Sequence, residues 1–411
     1  MTNFLKKKRT VNDIVAFSCF FIYGLLGVFI NSYIVETDMA RLVVNILRIL
    51  VLSFLFYDAT QKFIYKNKEL TFGFFVAFIL SLLIFAFSKN YQLIFFVFFI
   101  YWVSSCKKKA VIQTAIISHL VGIFIVIILA TLGVIKNIEV TRYMETSVRY
   151  GLGFIAPALA SGYLLHVLLA EMVLYRFKLK TSHFIFYAVF NLLLFYLTDT
   201  RFETIIIFGL LLISFIFKYV KTSGITNFIK NHKKISFLFV VSPIIFFGLN
   251  VLLLIGYKAN ISLFVTLADK MSSRVQYTIS AFRLTGLSLF GKNVDFAANG
   301  IVLDSSYFKV LLEYGIAGLV ILFYCYCKLI NKAIKRRNLA LFVATMVIVL
   351  ENIFSPFALD YNYNIIILLS FGAFTYRRRL VDGKENDRYS SCYIQPQDPF
   401  KGMYRSIKET I

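Results

Sequence analysis

The sequence predicts an all-α membrane protein, a bundle of about twelve transmembrane helices, and three observations lead to this prediction. Hydrophobic residues make up 59% of the 411-residue chain and charged residues only 16%, a composition that a water-soluble domain could not keep away from solvent. Apolar runs of about 20 residues, enough to cross roughly 30 Å of hydrocarbon, recur along the chain. Basic residues cluster in alternate segments between these runs. We therefore predict a multi-pass protein of the cell membrane.

The ends of the predicted spans follow the apolar runs. The twelve spans are Asp13–Ile34, Met39–Tyr57, Thr71–Ser88, Tyr91–Ser105, Ala110–Ile135, Tyr150–Tyr175, Ser182–Thr198, Glu203–Phe217, Ile235–Gly256, Tyr307–Cys327, Leu339–Phe354 and Tyr361–Tyr376. They divide the chain into residues 1–256 with nine spans, a large outer loop at 257–306, residues 307–376 with three spans, and a cytoplasmic tail at 377–411.

The net charge of +23 follows this topology. With the N-terminus inside, the inner segments contain most of the 44 Lys and Arg residues, as the positive-inside rule requires, and both termini lie in the cytoplasm. A nucleic-acid-binding protein would instead concentrate basic residues on one soluble face, so we predict no nucleic-acid partner. The basic start Lys6–Arg9 and the long apolar run after it predict a retained first helix rather than a cleaved signal peptide.

The inner segments are short and give no support to a cytoplasmic catalytic domain. The sequence contains no P-loop, no dinucleotide-binding fingerprint and no zinc-ligand spacing. An ATP-driven pump and a nucleotide-sugar transferase therefore lack sequence support. Any chemistry is expected at the outer loops and the helix ends that border them.

Arginines at the outer ends of helices are the candidate ligand-binding residues. They are Arg149, Arg201 and Arg274, with Arg142 and Arg283 nearby. The arginine fork binds phosphate in a bidentate way, and helix N-termini add free N–H groups for an anion. Outer N-termini are predicted at Tyr150, Glu203 and Tyr307. The pattern predicts a pyrophosphate site at the lipid headgroup level; the alternative is that the arginines contact membrane phosphates or pair with Asp199, Glu203 and Glu145.

The stretch from Ser272 to Gly318 contains several of these residues. Ser273-Arg274-Val275-Gln276 has the form of a capping box, which predicts a short helix ending near Gly286 and lying at the membrane interface. Asp304 directly precedes the tenth span, so it is either a functional carboxylate or the N-cap of that span.

Four segments occur in an order that resembles a known family. They are Arg149…Gly153-Phe154…Pro157, Thr198-Asp199-Thr200-Arg201, Ser273-Arg274…Leu289-Phe290-Gly291, and Asp304-Ser305-Ser306-Tyr307…Tyr314-Gly315-Ile316. Glu351 and Asn364 near the C-terminus also match polar positions of that family. Between Arg149 and Phe371 the chain resembles the Wzy-type oligosaccharide repeat unit polymerases of O-antigen and capsular polysaccharide synthesis, particularly the Gram-positive members, and is more distantly similar to O-antigen ligases.

The resemblance implies a membrane glycosyltransferase that acts on undecaprenyl-diphosphate-linked oligosaccharides at the outer membrane face. It implies that Arg274 and Arg201 hold the leaving diphosphate and that Arg149 binds the second lipid-linked substrate or the same anion. Arg142, Arg283 and Tyr307 are the further substrate-binding candidates. No metal and no other cofactor is expected. The implied partners are a flippase and chain-length regulator proteins, besides the lipid bilayer.

The chain departs from the family at two points. Ala156-Pro157-Ala158 stands where members often carry His-Pro-Asn, and no histidine lies in a predicted outer segment, whereas O-antigen ligases carry one in the large loop. His119 and His166 are predicted to be hydrogen-bonded core residues. A general base for the acceptor hydroxyl must therefore be a carboxylate. The candidates are Asp304 first, then Asp269, Asp295 and Asp199.

Arg48 lies in the middle of the second span, where a lone charge is costly. We expect it to form a structural ion pair with Glu351, Glu171 or Glu313, or alternatively to line a groove for a lipid phosphate.

Three other functions remain open. A flippase for lipid-linked oligosaccharides also suits twelve spans, but paired broken helices in two halves, common in transporters, are not evident. An O-antigen-ligase-like transfer is disfavoured by the missing outer histidine. A non-enzymatic assembly protein would not require arginines at several outer helix ends.

Overall fold

The computed structural model describes residues 2–65, 72–141, 148–220, 222–270, 274–296, 298–360 and 363–373. In these ranges the α-helices are α1 Thr2–Ile30, α2 Asp38–Tyr65, α3 Phe72–Ser88, α4 Gln92–Ser105, α5 Lys108–Thr131, α6 Ala158–Tyr175, α7 Thr181–Thr198, α8 Arg201–Tyr219, α9 Ser223–Asn231, α10 Lys233–Lys258, α11 Ser262–Lys270, α12 Arg274–Thr285, α13 Ser306–Glu313, α14 Gly315–Lys335 and α15 Leu339–Glu351. Two 3₁₀ helices span Tyr33–Val35 and Ile365–Ala373. The predicted tail at 377–411 lies outside the described residues.

The described residues are mostly helical, and their β-structure is a two-stranded antiparallel sheet of β1 Glu139–Thr141 and β2 Val148–Tyr150. Within the described part of the chain, eight helices are long and apolar enough to cross a membrane, namely α1, α2, α5, α6, α7, α8, α10 and α14. The helices α3, α4 and α15 are apolar but shorter. The predicted class, an all-α helical membrane protein, is confirmed.

Burial separates a central helix from peripheral ones. In the apolar stretch of α6, 78% of the residues are buried inside the protein, whereas only 11% are buried in that of α2. The central helix packs against α5, α7, α8 and α15 and against the second 3₁₀ helix. Because a buried helix at membrane depth must satisfy its polar groups within the protein, the polar residues of α6 contact neighbouring helices, as described below. The periphery instead presents large apolar side chains outward, such as Leu42 and Ile49 of α2.

The predicted tenth span is wrong as one continuous helix. Residues 307–327 belong to α13 and α14, which are separated at Tyr314, and Gly315 at the start of α14 has a φ of +73°. The loop before them inserts at this break: the N–H of Ile316 donates to the Ser288 carbonyl and that of Ala317 to the Leu289 carbonyl, each at 3.0 Å. These bonds satisfy N–H groups that begin a helix without partners of their own. The break therefore holds the loop in place.

Glycine is required on both sides of this contact. Gly291 also has a positive φ, of +83°, and a Cβ there would clash with the backbone carbonyl of Glu313. A Cβ on Gly315 would clash with the backbone of Leu289 and Gly291. The sequence pattern Phe290-Gly291 and Tyr314-Gly315 thus encodes a close backbone contact between the loop and the helix break.

The connection at 257–306 contains two short helices, α11 and α12. The prediction of a helix that ends near Gly286 is confirmed, because α12 runs from Arg274 to Thr285 and Gly286 follows with a φ of +63°. Ser273 of the predicted capping box lies outside the described residues. The side chain of Gln276 donates to the hydroxyl of Tyr257 at 3.1 Å and so joins α12 to the end of α10. Arg274 is thereby fixed at the start of α12.

Candidate functional site

The turn between α7 and α8, residues 198–203, is the element around which the predicted arginines gather. Asp199 has a φ of +45°, a left-handed conformation that ends α7 and allows α8 to begin at Arg201. Thr200 anchors the turn, since its hydroxyl lies 2.7 Å from that of Ser161 in α6 and 2.9 Å from that of Thr198. The turn is therefore tied to the central helix by buried hydroxyl groups.

Arg149 reaches this turn from the small sheet. It lies on β2, paired with Val140 of β1, and its Nε donates to the Thr198 carbonyl at 2.7 Å. The carbonyl is one of those that a helix C-terminus leaves without an intrahelical partner, so a cation there is favoured by the helix dipole as well. The side chain is half-buried and held at a defined position.

Arg201 pairs with Asp199 of the same turn. Its Nε lies 3.1 Å from Oδ1 of Asp199 and its second terminal nitrogen 3.2 Å from Oδ2, a two-pronged contact. The alternative in which outer arginines pair with nearby carboxylates is thus realised for Arg201. The side chain of Arg201 is nevertheless 55% exposed, so the guanidinium keeps donor groups accessible to a ligand.

Arg274 pairs with Asp304 from the far end of the loop. Nε of Arg274 donates to Oδ2 of Asp304 at 3.0 Å, and both side chains are partly exposed. Burial raises the pKa of Asp304 above its ordinary value, although the Arg274 charge and hydrogen bond act in the opposite direction. The helix-cap alternative for Asp304 is not found, because Ser305 is the N-cap residue of α13. Asp304 is instead an acceptor for arginine.

Two phenylalanines connect Arg274 with the 198–203 turn. The rings of Phe202 and Phe354 form an edge-to-face pair with centroids 5.1 Å apart, and the guanidinium of Arg274 lies 5.9 Å from the centroid of Phe354. The charges of Arg274, Arg149 and Glu351 all act on the carboxylate of Glu203 in the first turn of α8. The structure therefore brings Arg149, Arg201, Arg274 and Asp304 around one turn, although they are far apart in sequence. We call this group the turn site.

The remaining predicted residues are placed elsewhere. Arg283 follows Arg274 by nine residues, which is two and a half turns of α12 and puts it on the opposite helix face. Tyr307 is fully buried, and its hydroxyl donates to the Val349 carbonyl at 2.8 Å. Arg142 lies outside the described residues. Tyr307 thus makes an internal hydrogen bond with the backbone of α15.

Arg48 has different neighbours from those predicted. It donates to the hydroxyl of Tyr23 at 2.9 Å and lines a cavity. The three carboxylates proposed as its partners have their own contacts: Glu171 with His183 at 2.8 Å, Glu351 with His166 at 3.0 Å, and Glu313 with Asn90 at 3.3 Å.

Sequence reasoning missed the segment 352–358, which supports the turn site from below. The N–H of Ser306 donates to the carbonyls of Asn352 and Ser355, and the N–H of Ala358 donates to the Ser306 hydroxyl at 2.9 Å. The consecutive serines after Asp304 were visible in the sequence, but nothing indicated that their partners lie near residue 355. This segment carries Phe354, which contacts Arg274, so it contributes to the position of the site.

A buried polar pair, His166 of α6 and Glu351 at the end of α15, lies beneath this segment. Nε2 of His166 is 3.0 Å from Oε2 of Glu351, but the contact lacks the angle of a hydrogen bond, and Nδ1 of His166 has no hydrogen-bond partner among the described residues. Tyr363 packs edge-to-face on His166 with centroids 4.5 Å apart. His166 is buried in the core, as predicted, whereas the hydrogen bond predicted for it is not formed with Glu351.

No family model, no curated protein and no solved structure matches this chain. The resemblance to the Wzy-type polymerases therefore depends on the sequence motifs alone.

Proposed function

We propose that this chain polymerises undecaprenyl-diphosphate-linked oligosaccharide repeat units into capsular polysaccharide, exopolysaccharide or O-antigen at the outer face of the cytoplasmic membrane. The observation that carries the proposal is the turn site, where three arginines and a carboxylate from distant segments gather at the ends of helices. Such a group suits a diphosphate leaving group and an acceptor hydroxyl. The proposal includes the predicted topology of twelve spans, with both termini in the cytoplasm and the turn site outside.

In the proposed reaction, a hydroxyl at the non-reducing end of one lipid-linked repeat attacks the anomeric carbon of the growing chain. The new glycosidic C–O bond forms as the C–O bond to the carrier diphosphate breaks, and the diphosphate leaves with the electron pair. The proton of the attacking hydroxyl passes to the Asp304 carboxylate. Arg274 and Arg201 stabilise the charge that develops on the leaving diphosphate, and Arg149 adds to the positive field.

The resting pairs of the turn site fit an exchange of partners. A diphosphate that binds Arg274 and Arg201 replaces the carboxylates of Asp304 and Asp199, which are their acceptors in the absence of substrate. Because Asp304 loses its cationic partner in this exchange, its pKa rises further and it becomes a better base. Substrate binding and activation of the base are thereby coupled through one arginine.

The test supplies purified protein in detergent with lipid-linked repeats, where no membrane has to be crossed. The expected result is a ladder of lengthened glycans with the unaltered chain, and at least about a 100-fold slower growth with Arg274→Ala and with Arg201→Ala. Lys258→Ala, which removes an exposed cation at the end of α10, is the matched control and should keep normal growth.

Normal ladders from both arginine variants would refute the turn site. If the unaltered protein gives no chain growth in detergent but moves lipid-linked repeats between the leaflets of vesicles, the chain is a flippase and the polymerase proposal fails.

A further inference from the structure

A cavity of about 400 Å³ opens beside the start of α2, away from the turn site. Its volume lies within the range of pockets that hold small ligands. Seven of its ten lining residues have polar side chains. The polar lining residues are Ser32, Tyr33, Glu36, Arg41, Asn45, Arg48 and Tyr91.

Three of these residues form a stripe along α2. Arg41, Asn45 and Arg48 are spaced at i, i+4 and i+7, so they share one helix face. Another face of the helix exposes apolar side chains, for example Leu42 and Leu50. Arginines are costly beside lipid, so the two arginines do not help this helix to contact the membrane. The stripe therefore indicates a polar ligand inside the cavity.

The charges around the cavity favour an anion. Two arginines and one carboxylate, Glu36, line the cavity, and Asp38 lies outside the lining with its carboxylate 4.0 Å from Arg41. A further cation lies at the rim, since Nζ of Lys136 is 5.6 Å from the ring centroid of Tyr33. The Tyr23 hydroxyl accepts from one terminal nitrogen of Arg48 and thereby fixes the direction of the guanidinium. Asn45 and the tyrosines add uncharged groups that can donate to phosphate oxygens.

The cavity extends along α2 from the start of the helix. Arg41 lies in the first turn of the helix, and Arg48 follows two turns later, about 10 Å further along the helix axis. An anionic group that enters beside the start of α2 can therefore meet a cation at both positions. The apolar flank of α2 is available for an acyl or prenyl chain attached to that group.

The same cavity is joined to the turn site by one short segment. Ile155 lines the cavity, and its N–H donates to the Asn31 carbonyl at 3.1 Å, while Ser32 pairs with Phe154. Six residues earlier in the chain, Arg149 binds the 198–203 turn. The segment 149–155 thus contacts both regions.

We infer that this cavity, which we call the α2 cavity, binds the phosphate group of a lipid, and that its ligand is the second lipid-linked substrate. The phosphate site follows from the lining alone, whereas the identity of the lipid rests on the proposed function. Polymerisation of two lipid-linked glycans requires two phosphate-bearing lipids on one protein. The turn site holds one of them, and the α2 cavity holds the other on the opposite side of segment 149–155.

Binding can be measured by native mass spectrometry of the purified full chain, with no turnover involved. The probes are undecaprenyl diphosphate, phosphatidylglycerol and inorganic pyrophosphate, each titrated separately. The turn-site double variant Arg201→Ala/Arg274→Ala serves as the background, so that the α2 cavity is observed without the two arginines that are proposed to hold the diphosphate. We expect Arg41→Gln and Asn45→Leu to weaken undecaprenyl diphosphate binding, by about tenfold or more for the arginine. Lys258→Gln is the control for the loss of one positive charge and should bind as the background does.

Arg41 is 60% exposed, so its replacement should not disturb folding, and the thermal unfolding midpoint of each variant verifies this. Binding of undecaprenyl diphosphate that is unchanged in Arg41→Gln and in Arg48→Gln would overturn the cavity as a phosphate site. Equal or tighter binding of phosphatidylglycerol would overturn its identity as a substrate site, whatever the outcome of the chain-growth assay. If binding is lost but the unaltered protein never lengthens glycans, the polymerase proposal fails and the phosphate site stands.

Discussion

The turn site and the α2 cavity both present arginines to one end of the molecule, but they are built differently. At the turn site, Arg149, Arg201 and Arg274 come from three separate segments, and each binds a protein acceptor in the resting structure. In the α2 cavity, Arg41 and Arg48 come from one face of one helix and line an open volume, and they also have protein contacts, with Asp38 at 4.0 Å and with the Tyr23 hydroxyl at 2.9 Å. The first group depends on the correct packing of loops, whereas the second depends only on helical spacing.

This difference fits two kinds of work. When a diphosphate replaces the carboxylate partner of an arginine, the additional desolvation cost for the arginine is small. The displaced carboxylate then becomes available as a base. Such an arrangement suits a reaction in which charge moves. An open cavity with fixed cations suits plain binding of a lipid headgroup. The comparison predicts that damage to the loops removes chemistry while leaving lipid binding at the α2 cavity intact.

The largest effect is expected from Gly291→Ala. The new Cβ clashes with the Glu313 carbonyl at a positive φ, so the loop must leave the break between α13 and α14. We expect a loss of about 3 kcal/mol in the free energy of unfolding and a loss of chain growth, because Asp304 is positioned by this loop. Undecaprenyl diphosphate should still bind the α2 cavity. Thermal unfolding in detergent and native mass spectrometry measure the two effects.

Gly248→Ala in α10 is the matched control. A Cβ there meets no atom within 4 Å, and alanine favours a helix over glycine by roughly 1 kcal/mol. The control should be at least as stable as the unaltered chain. If Gly291→Ala is equally stable and active, the loop does not position the turn site, and the contrast between the two regions fails.

A large but more specific effect is expected from Asp304→Asn. The rate of chain growth should fall by about 100-fold at neutral pH, because the general base is lost. Burial raises the pKa of Asp304, and a base must be ionised, so activity of the unaltered chain should decline as the pH falls through that raised pKa. The residual activity of Asp304→Asn should not show this decline at low pH. If it still declines with the same midpoint, the base is another carboxylate.

The same pKa shift also affects the stability of the fold, and stability should change with pH in the opposite direction to activity. A raised pKa means that the folded chain binds this proton more tightly than the unfolded chain does. The contribution of Asp304 to stability is therefore fully present below the pKa of the unfolded chain and is lost as the pH rises through the folded pKa. As the pH rises from about 4, the ordinary pKa of an aspartate, the unfolding midpoint of the unaltered chain should decrease relative to that of Asp304→Asn. Lipid binding at the α2 cavity should show no such difference.

Sequence reasoning gave the protein class and the course of α12 because both depend on local composition. Apolar runs identify membrane helices directly, and Gly286 ends a short helix for conformational reasons that do not require a partner. Arg48 was also identified as a costly charge within a span. Its relation to Arg41 and Asn45 was readable from the spacing of one helix, but the carboxylates expected as partners were too far along the chain to be assigned.

The turn site could be predicted only in part, because it depends on contacts between distant segments. The sequence indicated that Arg149, Arg201 and Arg274 lie at helix ends, but not that Thr198 and Asp304 would be acceptors for two of them. The tenth span was predicted as continuous because apolar residues predominate in it, despite Lys309 and Glu313. The break at Gly315 is stabilised by hydrogen bonds to the carbonyls of Ser288 and Leu289. A local sequence pattern cannot predict partners that lie so far away in the chain.

The smallest effect, and the finest test of the comparison, is expected from Phe354→Leu. The substitution removes the ring under the Arg274 guanidinium and the edge-to-face contact with Phe202, while Asp304 still holds the arginine. Each aromatic contact contributes about 0.5–1 kcal/mol, so chain growth should slow by about fivefold and binding at the α2 cavity should not change.

Phe357→Leu is the control, because the Phe357 ring contacts a different cation, with Nζ of Lys309 6.0 Å from the ring centroid. Equal slowing by both variants would mean that the 352–358 segment acts through general packing, and a selective effect of Phe354→Leu would show that the aromatic bridge aligns Arg274 with the 198–203 turn.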